Sequence, residues 1–213
     1  MSRDNFIVFD GLDYSGKSTA MEKLQDYMKQ QGIEFIHTRE PGGTPIAEAL
    51  RKEILEVKHE GEKASNETRL LIMFASRNQN VDFKIKPALD AGKVVLSDRF
   101  SSSTYAYQIE TREDEELFEL LHSRLNLPEQ PLTIIFDLNY VTYNERKYGR
   151  LEAEDNIEQD TGSKEAFERI RGRYLQYAEI YHNCHVIDAN GSPANVIEQI
   201  MDILYEKGFN KPT

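Results

Sequence analysis

The chain has 213 residues, of which 39% are hydrophobic and 30% charged, with 12 glycines and 7 prolines. This composition is typical of a folded domain and excludes a disordered or collagen-like chain. Asp and Glu number 37 against 26 Lys and Arg, which gives a formal net charge of −11. Bulk charge therefore argues against nucleic acid or an anionic membrane as a partner, and any anion site has to be local.

The single cysteine, Cys184, excludes an internal disulfide and a cysteine-based zinc cluster. Residues 1–5 enter a strand-like run without a basic segment followed by a long apolar stretch, so we expect no signal peptide. The longest apolar runs have four to six residues, whereas a membrane helix needs about 20. We therefore expect a cytoplasmic protein with no membrane partner.

Short runs of branched and aromatic residues alternate with helical patterns along the chain. The predicted strands are 6–9, 33–38, 94–96, 132–138 and 185–188. The predicted helices are 17–31, 45–57, 66–81, 83–91, 103–110, 113–125, 164–181 and 194–207. Strands spaced by helices predict parallel βαβ units. We therefore expect one α/β domain over 1–213, a three-layer fold with a doubly wound parallel sheet of about five strands.

The loop after the first predicted strand has the G-x-x-x-x-G-K-[ST] motif of phosphate-binding loops. Its residues, with the first one after it, are Gly11, Leu12, Asp13, Tyr14, Ser15, Gly16, Lys17, Ser18 and Thr19. Glycines let backbone N–H groups turn toward phosphate oxygens, and the helix that follows adds its partial positive charge. Lys17 supplies a full charge for the β- and γ-phosphates, and the Ser18 hydroxyl is a ligand for Mg²⁺. The motif predicts a nucleoside triphosphate, but it does not identify the acceptor.

Segments after the next two strands narrow the class. Residues 38–44 are Thr-Arg-Glu-Pro-Gly-Gly-Thr, and residues 98–100 are Asp-Arg-Phe. Because ligands bind at the carboxyl ends of parallel strands, we expect both segments beside the phosphate loop. Together with that loop and the stretch around Arg77, they resemble the thymidylate kinase family, over about residues 5–209. The resemblance implies a P-loop kinase fold that phosphorylates dTMP with ATP and Mg²⁺.

The resemblance also implies a lid and an assembly state. The charged segment 145–162 resembles the family's lid, which closes over the triphosphate. Members of the family are commonly homodimers, so we expect a homodimer here. Helix 66–81, with Leu70, Leu71 and Phe74, is our candidate for part of the dimer face.

The resemblance assigns acceptor-side roles residue by residue. Asp13 matches an acidic residue that contacts the sugar 3′-hydroxyl, and Arg99 matches the arginine that clamps the acceptor phosphate and the transferring group. Arg39 resembles a second arginine near the phosphate, and Arg77 matches the arginine that hydrogen-bonds the thymine carbonyl edge. The remaining positions are Pro41, Met73, Phe74, Ser103, Thr104, Tyr107 and Gln108 for the substrate, and Ser18 and Asp98 for the metal.

The phosphate loop departs from one branch of the family, which has a catalytic arginine at the position of Tyr14. We therefore expect the stabilising charge to come from the lid, as in the bacterial branch, through Arg146 or Arg150, between which the sequence does not choose. The predicted catalytic set is Lys17, Arg99, Asp13, Arg146 and Arg150. The loop after the last strand resembles the family's adenine-side loop and adds Asn190 to the predicted ATP site.

The predicted base pocket departs from the family at Met73, where an aromatic ring usually stacks on the thymine. Phe74 is one residue further and therefore 100° round the helix, so it cannot simply replace that ring. A methionine thioether also packs on a pyrimidine face, so a kinase for dUMP or a modified deoxypyrimidine monophosphate is an open alternative. A GTPase-like switch is the alternative from another class, but its Asn-Lys-x-Asp string is absent from the sequence.

Overall fold

The computed structural model describes residues 5–56, 59–128, 131–151 and 163–209, without the side chains of residues 150 and 151. Within these residues the strands are β1 Phe6–Gly11, β2 Phe35–Arg39, β3 Val94–Asp98, β4 Leu132–Asp137 and β5 Cys184–Asp188. They form one sheet in the order β2-β3-β1-β4-β5, and every pairing is parallel. The predicted α/β architecture with a doubly wound five-stranded sheet is confirmed.

The described helices connect these strands. They are α1 Lys17–Gln30, α2 Pro45–Leu55, α3 Asn66–Asn80, α4 Lys86–Asp90, α5 Ser101–Gln108, α6 Arg112–Arg124, α7 Tyr140–Leu151, α8 Lys164–Ile180 and α9 Pro193–Glu206. A π-helical segment, Val81–Ile85, joins α3 to α4 without a break. The predicted end of one helix at residue 81 and start of another at 83 is therefore wrong.

Helix α7 corrects the prediction for the charged segment. Residues 145–151 continue a helix that begins at Tyr140, which the sequence analysis did not predict. The start of the helix is capped by Asn139, whose Oδ1 accepts from the backbone N–H of Thr142 at 2.9 Å. The rest of the predicted lid, 152–162, lies outside the described residues.

Strand β1 lies at the centre of the sheet, and all of its residues are buried. Its side chains alternate between two apolar clusters, as the two-residue period of a strand requires. Ile7 and Phe9 belong to the larger cluster, whereas Phe6 and Val8 belong to the smaller. Both faces of the sheet are therefore covered, and the loop that follows β1 leaves the middle of the fold.

Of the three α3 residues predicted for the dimer face, Leu70, Leu71 and Phe74, the structure exposes one. Leu70 and Phe74 are buried in the core, and Phe74 packs edge-on against Phe118 with ring centroids 5.4 Å apart. Leu71 is 46% exposed. Only Leu71 of this set is available to a partner. Among the helices described, none is both long and apolar enough to cross a membrane.

Candidate active site

The phosphate loop begins at the end of β1, where Gly11 lies opposite Phe136 of β4. Gly11 has φ +132°, and a Cβ there would lie 2.6 Å from the carbonyl oxygen of Phe136, so only glycine fits. Helix α1 starts at Lys17 and directs its first N–H groups into the loop. The Nζ of Lys17 donates to the carbonyls of Gly11 and Leu12 at 3.0 and 2.7 Å. Burial, followed by the charge of Arg99, lowers the pKa of Lys17.

A cavity of about 780 Å³ opens at the carboxyl ends of the central strands. Most predicted site residues line it, from the phosphate loop to the segment behind β3. They are Asp13, Tyr14, Ser15, Gly16, Lys17, Ser18, Thr19, Arg39, Pro41, Met73, Arg77, Asp98, Arg99, Ser103, Thr104, Tyr107, Gln108 and Arg146. The cavity therefore brings together residues that are far apart in the chain.

Several predicted residues do not line this cavity. Gly11 ends β1, and Leu12 is buried in the core. Phe74 also faces the core, so the wall at this point of α3 is formed by Met73, and the assignment of Phe74 to the substrate site is not supported. Asn190 lies in the loop after β5, and the Arg150 side chain lies outside the described residues.

Arg99 is held in the cavity by an unusual backbone and many side-chain bonds. Its φ of +69° is in the left-handed region, and its N–H donates to Phe9 O at 2.9 Å. The guanidinium forms an ion pair with Asp13 and donates from Nη1 to Ser103 Oγ at 3.0 Å and Tyr174 Oη at 3.2 Å. Burial opposes ionisation, but the charge of Asp13 raises the pKa of Arg99 well above its ordinary value. This cation is therefore permanent and fixed in position.

Asp10 was missed by the sequence analysis, although it lies at the centre of the site's hydrogen bonds. Its carboxylate is fully buried and accepts from the Gly11 N–H, Ser102 Oγ, Ser103 Oγ and Tyr174 Oη at 2.5–2.9 Å. The sequence offered one signal for Asp10, a carboxylate directly after the four apolar residues of a predicted strand. Such a carboxylate is buried, and a buried charge needs hydrogen-bond partners.

Arg77 defines the other end of the cavity. Its Nε donates to Glu40 Oε2 at 2.7 Å, and its Nη2 donates to Thr104 Oγ1 at 2.8 Å. The rings of Phe74 and Phe100 lie 5.1 and 5.0 Å from the guanidinium carbon. Nη1 is buried and has no hydrogen-bond partner within the part of the chain that the structure describes. The Nη1 amino group, with two N–H donors, is thus left for a ligand.

A second missed residue, Arg51 of α2, joins the cations at this end. It lines the cavity, and its Nη1 donates to the carbonyl of Pro41 at 3.0 Å. Burial lowers the pKa of Arg51, and the like charge of Arg39 adds to this effect. Arg39 itself pairs with Glu48 at 2.9 Å in a half-exposed position. The region near Pro41 therefore suits an anion.

Two buried oxygens in the cavity wall have no hydrogen-bond partner among the described residues: Tyr107 Oη and Asp98 Oδ1. The Tyr107 ring lies 5.6 Å from the Arg99 guanidinium carbon, and burial raises the pKa of this tyrosine. Asp98 is at the carboxyl end of β3, opposite Phe9 of β1. An unpaired carboxylate oxygen in the cavity that Ser18 also lines fits Mg²⁺, which binds through one or two protein oxygens plus phosphates. The described residues hold no cluster of three or more His, Cys, Asp or Glu side chains suited to a metal ion.

Arg146 lies at the phosphate-loop end of the cavity, which we call the donor end. Its Nη1 donates to the carbonyl of Tyr14 at 3.4 Å, and its Nη2 donates to that of Gly191 at 3.1 Å. Asn190 lies beside it and accepts from the N–H of Asn139 at 2.9 Å, just before α7. Helix α7 is thereby tied to both loops that border the donor end.

Comparisons with known proteins agree with this geometry. The family model described as thymidylate kinase matches residues 9–200. A thymidylate kinase of Vibrio parahaemolyticus is 42% identical over 209 residues, covering 97% of this chain and 98% of the relative. One of Pseudoalteromonas translucida is 40% identical over 204 residues, covering 95% and 96%. The crystal structure of thymidylate kinase from Ehrlichia chaffeensis superposes with a TM-score of 0.70 at 27% identity, covering 93% of this chain and 97% of that one.

Proposed function

This chain belongs to the thymidylate kinase family, and we propose that its cavity transfers the γ-phosphoryl group of ATP to the phosphate of dTMP with the help of Mg²⁺. The observation that supports this most directly is the single cavity that joins a phosphate loop to Arg77. At one end are Lys17 and Arg99, and at the other is a guanidinium whose Nη1 has no hydrogen-bond partner among the described residues. Phosphoryl transfer requires this combination of cations and a fixed acceptor.

The donor end suits the triphosphate of ATP. Backbone N–H groups at the start of α1 face the phosphate oxygens, with the partial positive charge of the helix behind them. Lys17 exchanges its bonds to the Gly11 and Leu12 carbonyls for phosphate oxygens, which are stronger partners because they are charged. Mg²⁺, when bound, neutralises charge on the β- and γ-phosphates, and Ser18 and Asp98 are the residues that would hold it.

The acceptor end suits a pyrimidine with a carbonyl at the position that Arg77 reaches. A guanidinium has only donors, and here Glu40 and Thr104 occupy two of the nitrogens. The free Nη1 therefore pairs with an acceptor at the 4-position of the pyrimidine, where thymine and uracil have a carbonyl oxygen and cytosine has an amino group. Leaving a buried donor unpaired costs about 1–3 kcal/mol, which disfavours dCMP.

The sugar and the acceptor phosphate lie between these ends. Asp13 accepts a hydrogen bond from the 3′-hydroxyl, and the partly buried Tyr107 lies beneath the deoxyribose, where a 2′-hydroxyl would be crowded. The acceptor phosphate lies near Arg39 and Arg99 and attacks in line, so no side chain acts as a covalent nucleophile. We assign the lid cation to Arg146, because its guanidinium already borders the phosphate loop.

A panel of acceptors tests the proposal. With ATP as donor, a coupled assay measures kcat/KM for dTMP, dUMP, dCMP and dGMP, and dTMP is expected to be the best. A preference for dUMP would favour the alternative that Met73 leaves open, and a higher affinity for guanine nucleotides than for ATP would favour a switch. Either result would contradict the assignment.

We also propose a homodimer that pairs through the flank formed by α2, α3 and α6. Helix α3 packs against both of the others, and each helix exposes one large apolar side chain. These are Ile46, Leu71 and Leu120, with 58%, 46% and 51% of their surface exposed. Sedimentation is expected to give twice the chain mass for the wild type and a single chain mass for Leu71→Glu. A monomeric wild type would contradict the proposal.

A further inference from the structure

Tyr14 has a backbone conformation that is rare for an aromatic residue. Its φ of +62° lies in the left-handed region, where the Cβ of a bulky residue is crowded. Arg99 is the other non-glycine residue with positive φ among the described residues, and it lies in the same cavity. Strain of this kind persists where the surroundings over-determine a residue, so its contacts point to a use.

The side chain of Tyr14 reaches helix α7. Its ring meets Tyr143 edge-on, with centroids 5.6 Å apart and an interplanar angle of 77°. Tyr143 is buried and also packs against Tyr140 and Phe167, with ring centroids 6.3 and 5.0 Å away. Tyr14 thus joins the phosphate loop to an aromatic cluster in which α7 and α8 meet.

The backbone of Tyr14 contacts the same helix one turn further on. Its carbonyl accepts from Arg146 Nη1 at 3.4 Å, and Arg146 Nη2 reaches Gly191 O at 3.1 Å. Tyr143 and Arg146 are three residues apart and therefore face the loop from one side of α7. The contact between the Tyr14 and Tyr143 rings sets the distance between α7 and the phosphate loop. The Arg146 side chain spans that distance to reach the Tyr14 carbonyl.

We propose that Tyr14 is a positioning residue that seats α7 against the phosphate loop and thereby sets where the Arg146 guanidinium lies. Neutral carbonyls at 3.1–3.4 Å hold the guanidinium beside the loop, and charged phosphate oxygens are the stronger partners for it. The position of the Arg146 guanidinium is then fixed by an aromatic contact. In the branch of the family with an arginine at the position of Tyr14, the phosphate loop itself would supply the charge. This inference rests on the proposed function, in which Arg146 is the cation that acts on the triphosphate.

Tyr14→Gly separates the contribution of the Tyr14 ring to kcat from that of its backbone. Glycine adopts φ +62° without strain and keeps the carbonyl that Arg146 reaches, so the contacts of the side chain are lost and the backbone bond is kept. We expect kcat to fall about 10- to 100-fold, as a displaced catalytic group does, while KM for dTMP changes less than about twofold, because the acceptor side is untouched. Val141→Ala is the control: this exposed residue lies on α7 before the segment that resembles the lid, and its truncation is expected to leave kcat unchanged.

A double-mutant cycle tests the route through Arg146. In an Arg146→Ala background, Tyr14→Gly is expected to change kcat less than about threefold, since the group that it positions is already gone. Effects that multiply would overturn the proposal, as would a wild-type kcat for Tyr14→Gly. Circular dichroism verifies folding, and Tyr14→Asn repeats the test with another residue that tolerates positive φ. Wild-type turnover of dTMP with ATP is measured alongside, so a failure of the proposed function is seen separately.

Discussion

Arg77 and Glu40 form an ion pair inside the protein, with Arg77 Nε 2.7 Å from Glu40 Oε2 and neither side chain more than 3% exposed. Asn80 completes the arrangement, since its Nδ2 donates to Glu40 Oε1 at 3.3 Å. Glu40 therefore both neutralises Arg77 and fixes the direction of its unpaired Nη1. In the proposed function, this pair would connect the stability of the domain to the selection of the base.

Glu40→Ala is expected to lower the free energy of unfolding by about 3–5 kcal/mol, because it leaves a buried guanidinium without its counter-charge. Glu116→Ala is the control, since the Arg112–Glu116 pair at 3.0 Å is exposed and such pairs contribute about 0–1 kcal/mol. Urea unfolding followed by circular dichroism measures both. Equal losses for the two variants would contradict the stabilising role of the buried pair.

The strands could be predicted because their apolar runs are short and bounded by turn residues, and the boundaries that failed have local causes. The second strand begins at Phe35, two residues later than predicted, because Ile33 belongs to the turn that follows α1. Gly32 has φ +66°, and the N–H of Ile33 donates to Met28 O at 2.9 Å, which is a helix-terminating turn. Helix α7 was missed because Tyr140, Val141 and Tyr143 favour strands, although Asn139 was a readable N-cap.

The phosphate loop and the arginines after the strands could be predicted because each lies in a local motif. Asp10 and Glu40 were missed, because the sequence does not identify their partners, which are distant in the chain. Tyr174 is 164 residues from Asp10, and Arg77 is 37 residues from Glu40. Only folding brings these groups together, and a single sequence does not record which buried charges meet.

The stability of the domain is expected to fall as the pH drops below about 6.5. Burial, followed by the charge of Arg77, lowers the pKa of His122 from 6.5, and burial also lowers the pKa of His37 and His185. Each imidazole therefore binds a proton less readily when folded. The stability is fully present above 6.5 and is lost as the unfolded chain takes up protons below it.

His122→Phe tests this dependence at one position. The ring stacks on Phe118 with centroids 5.7 Å apart, so phenylalanine keeps the packing and removes the titration. Urea unfolding between pH 5 and 8 is expected to give a shallower slope for the variant. An unchanged slope would mean that the other histidines account for the whole effect.

Gly172→Ala is expected to stabilise the domain by about 0.5–1 kcal/mol, because glycine in a helix interior carries an entropic cost. Gly172 is exposed in α8, and a Cβ there meets no atom within 4 Å. Gly11→Ala is the opposite case, since the added Cβ would clash with Phe136 O at φ +132°. Thermal unfolding should give a higher midpoint for the first variant and a lower one for the second, and a shared direction would contradict the argument.

Lys17→Met is expected to lower kcat by about 100- to 1,000-fold, the range for removing one preorganised donor from a transition state. Methionine keeps the apolar stem of the side chain and removes the ammonium charge, which burial disfavours. The two bonds to Gly11 and Leu12 carbonyls are lost with it, so the midpoint of unfolding should move only slightly. Lys29→Met, at the exposed end of α1, is the matched control and should keep wild-type turnover. Near-normal kcat in Lys17→Met would mean that the phosphate loop does not act on the transferring group.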